Sequence, residues 1–490
     1  MSNPIIDKLT AKGSGEQAKF LNDIIVQLWP NITAMTSQMT KEIVEPMFKT
    51  MLPGPLKSLH FTKLNLGDIP LKLSNVLTTK SDTGAIKLDM NVDWDGDCDI
   101  ELDADLIPTL GVESVKLHGR LSILLGPLTN VIPLIGAAQI AFVNPPVLKL
   151  DFTGAANVAD FSAVDGAVRG IILSVLNGMF TLPNRFLVKL DANADYFATY
   201  LYPLGVIRIT VEKATGFAHE AKSGAKKLFS KLTRASPDCY VKVDVGAEPT
   251  FKTATKSNTT SPVWNETHDF VVSDLDQCIK LSVEDEDVGS DDAVGLAVTT
   301  VREALLAAGR QELSLTKDNQ PVAGTLTIAS EFHPFEAGDA SFSASAESAA
   351  DDGRLCGLAT ILVASAYGIK GQREQLRPSV KVSLGAKHHF QTAIKEDAPG
   401  TDISNPAFDQ NFRVPVTADM ASSGQAFRIA LLDGEKEVGA VEVPWADVVR
   451  APGMTVGSKF DVGGGATVRA SIKVAGVGVA STGGASLPRR

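Results

Sequence analysis

Cysteine is scarce. The chain has 490 residues and four cysteines, Cys98, Cys239, Cys278 and Cys356, none of them paired as CxxC. A chain this long needs no disulfide staples, so a reducing, cytosolic compartment is expected. An excess of positive charge is lacking too. Lys+Arg total 46 against 57 for Asp+Glu, a formal net charge of −11, which argues against a dedicated nucleic-acid binder. Catalytic signatures are missing: there is no GxSxG, P-loop, GxGxxG or HExxH. The seven histidines are scattered, and His388-His389 reads as a surface pair. The N-terminus, MSNPIIDKLTAKGSGE, holds no apolar run of signal-peptide length. The longest uncharged stretch, Leu121–Leu148, could span a bilayer by length, but Pro127, Pro133, Pro145 and Pro146 interrupt it. It reads as buried strands or a lipid-facing wall rather than a membrane helix.

What is present is a folded chain, 44% hydrophobic and 21% charged, of about three domains by length. Phe20, Ile24 and Leu28, then Ile43, Met47 and Met51, recur at helical spacing, and Pro30 and Pro46 predict two amphipathic helices. Period-two strands follow. Ile86, Leu88, Met90, Val92 and Trp94 alternate with polar residues, as do Val115, Leu117, Leu121 and Ile123, and Leu148, Leu150 and Phe152. Long strands with one apolar face describe a curved antiparallel sheet, to be covered by helices or filled by something greasy. Residues 164–182 return to helical spacing. From Leu204 short strands and turns recur in the manner of a β-sandwich. The stretch 333–354 is rich in Ser, Ala and acids and reads as a flexible acidic linker. The sandwich texture then repeats: YVKVDVG matches VKVSLG, TSPVWNETHDFVV matches ISNPAFDQNFRV, and IKLSVEDEDVGSDDAVG matches FRIALLDGEKEVG.

One loop carries chemistry. Glu284, Asp285, Glu286, Asp287, Asp291 and Asp292 place six carboxylates within nine residues, where they repel one another unless a cation compensates. A hard divalent cation with oxygen ligands suits them, calcium best, and no EF-hand pattern is present. A basic amphipathic segment, KSGAKKLFSKLTR, carries Lys222, Lys226, Lys227, Lys231 and Arg234 and no acid, the composition of a membrane-surface element.

These residues carry resemblances. Asp238-Cys239-Tyr240, Ser261-Pro262-Val263-Trp264-Asn265-Glu266 and Asp285-x-Asp287…Asp291-Asp292-x-x-Gly295 resemble a C2 domain, a sandwich whose tip loops bind calcium and then phospholipid headgroups. The resemblance implies calcium ligands at Asp238, Asp285, Asp287 and Asp292, with Asp291 beside them. The family's first acid in the first loop has no evident match, Glu220 being nearest. The second sandwich has Arg377-Pro378-Ser379 in place of Ser-Pro-Asp-Cys and keeps Asp433, Glu435 and Glu437, so it resembles a calcium-independent C2 domain. Phe20-Leu21-Asn22-Asp23-Ile24-Ile25, Leu66-Gly67-Asp68-Ile69-Pro70-Leu71, Leu117-His118-Gly119, Leu134-Ile135-Gly136-Ala137 and Leu182-Pro183-Asn184-Arg185 resemble the SMP domain of extended and plant synaptotagmins.

The resemblance implies an α+β, TULIP-like tubular SMP lipid-binding domain followed by two all-β C2 sandwiches. The expected division is a disordered N-terminus (1–15), SMP domain (16–203), calcium-type C2 domain (204–332), linker (333–354), degenerate C2 domain (355–475) and disordered tail (476–490). It implies glycerophospholipid cargo held by Ile86, Leu88, Met90, Val92, Leu117, Leu121, Ile123, Leu148 and Leu150. It further implies end-to-end homodimers, anionic membrane phospholipids as partners, calcium as cofactor, and no enzyme activity. Calcium-regulated, non-vesicular glycerolipid transfer between apposed membranes is the expected function, with a calcium-dependent membrane adaptor or tether as the alternative. The sequence begins almost at the SMP block, without the family's N-terminal hydrophobic hairpin. The expected location is therefore cytoplasmic and peripheral, at endoplasmic reticulum–plasma membrane contacts.

Overall fold

A computed structural model describes residues 5, 8, 18–52, 54–105, 107–153, 161–191, 194–217, 236–287, 291–307, 309–336, 338, 354–398 and 400–480.

Helical spacing in the first block folds as one helix, α1 (Lys19–Met51), with Pro30 and Pro46 inside it. Two helices were expected from those prolines. A proline removes one backbone donor and crowds the preceding turn, but α1 is held laterally at each stretch. The Asn22 side chain exchanges two hydrogen bonds with the backbone of Leu73 (2.8 and 2.9 Å), and Trp29 Nε1 donates to Gly67 O (3.0 Å). Val44 and Phe48 are buried at the far end.

The period-two segments become β1 (His60–Asn65), β2 (Lys72–Lys80), β3 (Ile86–Ala104), β4 (Ile107–Leu125), β5 (Ala137–Phe142), β6 (Val147–Thr153) and β7 (Phe186–Lys189) of a seven-stranded sheet. β3 and β4 are 19 residues each and pair antiparallel. Helix α2 (Phe161–Phe180) and the end of α1 cover one part of the apolar face: Val44, Phe48, Val168 and Ile171 cluster with Ile100, Val112, Val115 and Leu148. Within Leu121–Leu148, the ends are strand as expected, but 126–136 is a hairpin loop with exposed side chains rather than a buried strand.

The next strands are β8 (Gly205–Thr215), β9 (Cys239–Val245), β10 (Phe251–Lys252), β11 (Val263–Val272), β12 (Cys278–Asp285), β13 (Asp292–Thr300), β14 (Arg310–Lys317) and β15 (Gln320–Glu336). Two layers, β10-β9-β12-β13 and β14-β15-β8-β11, enclose a core including Ile207, Val241, Leu281 and Ile328, and a single register pair, Leu296↔Thr316, joins the layers. Short helix α3 (Val301–Leu306) follows β13 and starts with a Thr300–Glu303 capping box. The second sandwich holds β16 (Leu355–Tyr367), β17 (Pro378–Leu384), β18 (His388–Gln391), β19 (Ala407–Thr417), β20 (Ala426–Asp433), β21 (Lys436–Pro444), β22 (Thr455–Gly463) and β23 (Ala466–Val477). Its layers, β18-β17-β20-β21 and β22-β23-β16-β19, close on Ile361, Val382, Phe427 and Ile472.

Two boundaries differ from the sequence reading. Residues 333–336, read as linker, continue β15: His333 pairs with Val206 and Pro334 with Gly205, and Phe335 and Glu336 pair with Val477 and Gly476 of β23. Residues 476 and 477, read as tail, therefore lie in β23. The physical cause is long-range ladder pairing, which joins the two sandwiches into one continuous sheet.

The sheet of the first block also packs on both sandwiches. Lys87 lies 3.1 Å from Asp274 and 3.2 Å from Asp89, and Asn144 accepts from the Cys278 amide (2.6 Å) while donating to Asp276 O (3.0 Å). Lys189 meets Asp409 at 2.6 Å, and Tyr200 donates to Asn411 at 3.2 Å.

Candidate functional site: a carboxylate tip and an apolar wall

The ends of β9, β12 and β13 meet at one tip of the first sandwich. Asp285, the last residue of β12, stands in register with Cys239 on one side and Asp292 on the other. It is 7% exposed. The Asp238 amide donates to Asp285 Oδ1 (2.7 Å), the Glu286 amide donates back to Asp238 O (2.8 Å), and Asp238 Oδ1 accepts from the Asn258 amide (2.7 Å). Asp291 Oδ1 accepts from the Asp287 amide (3.2 Å), and Oδ2 accepts from the Tyr240 hydroxyl (2.6 Å).

Sequence reasoning missed Tyr240 as a participant. Its hydroxyl sits between Asp291 and Glu284, and Lys252 Nζ lies 3.6 Å from its ring centroid. Burial, then the two carboxylates it bonds, push the phenol well above its ordinary value. The Tyr240 hydroxyl and the Asp287 amide hold the Asp291 carboxyl below the usual range. Burial pushes Glu284 upward, and Lys242 (2.7 Å) together with Tyr240 outweighs it, so its carboxyl also stays low. Glu286 is lowered by Lys252 at 3.1 Å. Hydrogen bonds and two lysines at the rim thus favour the ionised form of Glu284, Glu286 and Asp291.

The donor set is carboxylate oxygen throughout, which fits a hard cation. The buried Asp285 and its neighbours Asp238 and Asp292 come from strand ends that the sheet fixes side by side. Among the described residues no group of three or more His, Cys, Asp or Glu is close enough together to hold a metal ion. Residues 288–290 of the third loop lie outside the described residues, as do Glu220 and the basic segment with Lys222, Lys226, Lys227, Lys231 and Arg234.

The second sandwich repeats the tip with different chemistry. Pro378 pairs with Asp433 in register, the Arg377 amide donates to Asp433 Oδ1 (2.7 Å), and the Gly434 amide donates to Arg377 O (2.8 Å). Arg377 thus occupies the place of Asp238, and its Nε lies 3.3 Å from Glu396. A guanidinium stands where the first sandwich offers a carboxylate.

The apolar wall lies on the seven-stranded sheet. Ile86, Leu88, Met90 and Val92 of β3 stand opposite Leu125, Ile123, Leu121 and Gly119 of β4; Leu117 pairs with Leu148, and Val115 with Leu150. All nine candidate groove residues therefore share one face. The face divides in two. Leu117, Leu148 and Leu150 pack into the cluster under α1 and α2. Ile86, Leu88, Leu121 and Ile123 are half-buried and lie outside that cluster, while Met90 and Val92 between them are buried.

Comparison with known proteins fits both halves of this description. Residues 14–191 match the synaptotagmin-like mitochondrial-lipid-binding (SMP) domain family, and residues 205–316 and 357–457 match the C2 domain family. Extended synaptotagmin-2 of Mus musculus is 25% identical over 462 residues, 91% of this chain and 53% of that protein. The chain is homologous to the extended synaptotagmins. Extended synaptotagmin-1 of Mus musculus is 31% identical over 297 residues, 60% of this chain and 27% of that relative. The chain thus spans about half the length of one extended synaptotagmin and about a quarter of the other. A solved structure of extended synaptotagmin-2, comprising its SMP domain and two C2 domains, superposes with a TM-score of 0.61 at 23% identity, covering 94% of this chain and 99% of that one. The fold is accordingly an SMP domain followed by two C2 sandwiches. No helix among the described residues is long and apolar enough to cross a membrane.

Proposed function

We propose that this extended-synaptotagmin homologue binds glycerophospholipid in its SMP domain and moves it between apposed membranes, under calcium control through its first C2 domain. The observation that carries this reading is the wall of Ile86, Leu88, Leu121 and Ile123, apolar and half-buried on one sheet face inside the matched lipid-binding domain. The barrier to moving a lipid is exposure of its tails to water, about 0.8 kcal/mol per CH₂. A protein face that covers the tails removes that cost in transit. This is a shielding mechanism, and it needs no catalytic group.

The tip carboxylates Asp238, Asp285, Asp287, Asp291 and Asp292 would hold calcium. When bound, the cation neutralises the tip and lets it approach an anionic leaflet. Their strands and amide bonds place Asp285 and Asp238 at one tip, and the carboxylates would have to draw closer together to hold the ion, since among the described residues no three of them stand within metal-holding distance. Lys222, Lys226, Lys227, Lys231 and Arg234 add attraction to anionic phospholipid of about 1 kcal/mol each near the surface. The second C2 domain, with Arg377 at its tip, docks without calcium. End-to-end pairing of two SMP domains would lengthen the path, and endoplasmic reticulum–plasma membrane contacts are the proposed place of work.

Native mass spectrometry of the purified chain tests this reading. Co-purified phospholipid, one or more molecules per chain, is the expected result. An empty protein with no exchange activity between liposomes leaves only a calcium-regulated tether.

A further inference from the structure

The hairpin loop 126–136 between β4 and β5 is the most exposed aliphatic feature of the SMP sheet. Leu128, Val131, Ile132 and Leu134 are 53%, 68%, 88% and 55% exposed, and Val188 and Leu190 beside them are 38% and 48% exposed. The loop contains no charged residue, nor does anything else between Arg120 and Lys149. Its backbone closes on itself: Thr129 N donates to Leu134 O (2.8 Å), Gly136 N to Pro127 O (2.8 Å) and Gly126 N to Ala137 O (2.9 Å). The Leu190 amide ties β7 to it through Gly136 O (2.9 Å). Three of these amides close the base of the loop and a fourth, Leu134 N to Val131 O (2.6 Å), tightens its turn, while the aliphatic side chains point out, so it is the side chains that the loop offers to hydrocarbon.

Two occupants compete for such a ridge, a second copy of the chain and a bilayer. The four loop side chains present on the order of 400 Å² of apolar surface, the size of a functional patch on a monomer. A stable dimer buries about 800 Å² on each partner across a flatter and broader contact. A narrow finger whose outermost side chain is 88% exposed fits a soft hydrocarbon layer better than a complementary protein face. The finger also continues β4 directly, and β4 carries Leu121 and Ile123 of the apolar wall.

We propose that hairpin 126–136 inserts Leu128, Val131, Ile132 and Leu134 into the acyl-chain region of a membrane surface, without calcium and without anionic lipid. The insertion rests on the lipid-transfer reading for its purpose. It places the end of the wall against the hydrocarbon from which tails would enter.

The test uses the whole chain carrying Ile132→Cys labelled with the environment-sensitive dye NBD. The four native cysteines are buried, so the label reports position 132. With highly curved vesicles of pure phosphatidylcholine in EGTA, NBD emission should rise about twofold or more and shift to the blue, and doxyl-lipid should quench it. In unlabelled protein, Val131→Asp with Ile132→Asp should reduce sedimentation with those vesicles several-fold, the fold being preserved because both sites are exposed. Emission unchanged at saturating vesicle overturns the proposal. So does a rise that follows protein concentration without vesicles, which assigns the ridge to a second copy. The two readings fail separately. A silent label on a chain that carries phospholipid removes the insertion alone; an inserting label on an empty chain sustains insertion and removes transfer.

Discussion

The Arg377 amide donates to Asp433 Oδ1 at 2.7 Å, the same bond at the same length that the Asp238 amide makes to Asp285 in the other sandwich. The two tips share a backbone clamp and differ in the side chain that the clamp presents. Asp238 adds a carboxylate to the first tip, whereas Arg377 at the second is paired with Glu396 and offsets its acids, so the proposed need for a cation falls on the first tip. Asp285→Asn together with Asp287→Asn should therefore abolish calcium-dependent sedimentation with phosphatidylserine vesicles. Asp433→Asn should leave it unchanged. Calcium-dependent binding that survives the first pair refutes the assignment of the cation to this tip.

The wall makes a second prediction. Leu88→Gln with Ile123→Gln places two amides opposite each other in register on β3 and β4. The two amides can bond each other but leave further donors and acceptors facing acyl chains, and an unpaired polar group there costs about 1–3 kcal/mol. Phospholipid recovered by native mass spectrometry should fall several-fold, while calcium-dependent vesicle binding through the C2 domain persists. Equal lipid content in the variant would place the cargo elsewhere.

A third concerns the contact between the SMP sheet and the first sandwich. Lys87 bridges Asp274 and Asp89, and each side chain is no more than 15% exposed. Replacing Lys87 by Met leaves two acids facing each other and should cost about 3 kcal/mol, read as a lower thermal midpoint. The pH dependence follows from the shifts. Burial raises the Asp274 carboxyl, and Lys87, the Asp276 amide and Arg302 more than reverse this, so its folded value lies below the ordinary 3.8. Burial lowers Lys87, and Asp274 and Asp89 more than reverse it, so its folded value lies above 10.5. The Asp274 contribution is present above pH ~4 and lost as pH falls further; the Lys87 contribution is present below pH ~10.5 and lost as pH rises further. The difference in midpoint between wild type and variant should stay flat from about pH 5 to 9 and shrink below about pH 4.

A fourth is a null reactivity. Burial pushes the thiols of Cys98 and Cys356 up to about 11 and those of Cys239 and Cys278 up to about 12. The thiolate is the nucleophile, so the native chain at pH 8 should react with a maleimide far more slowly than the chain unfolded in guanidinium. Rapid labelling of any of the four in the native chain would contradict their burial.

Local pattern made part of this structure readable. Strict alternation from Ile86 to Trp94 specified β3 and its apolar face, because side-chain period and strand period coincide. The acidic run after Val283 was visible as charge density, and the order of SMP and C2 words named the architecture. Other features had no local signature. Lys87 and Asp274 are 187 positions apart, so neither residue advertises its partner. Pro30 and Pro46 looked like helix ends because the cost of proline is local, whereas Asn22–Leu73 and Trp29–Gly67, which hold α1 together, are tertiary. Pro334 and an acidic composition hid the end of β15, which β8 and β23 supply with partners. Tyr240 stood within the Asp238-Cys239-Tyr240 motif, but nothing local showed that its hydroxyl meets Glu284 and Asp291, 44 and 51 positions along the chain.

Phospholipid exchange between two vesicle populations tests the central claim most directly. Purified chain should speed transfer of a fluorescent phosphatidylcholine from donor to acceptor vesicles in calcium, and Leu88→Gln with Ile123→Gln should reduce that rate to near the protein-free level while vesicle tethering, read by light scattering, remains. Transfer that is unchanged by the wall substitutions, or tethering with no transfer in the wild type, would contradict the account.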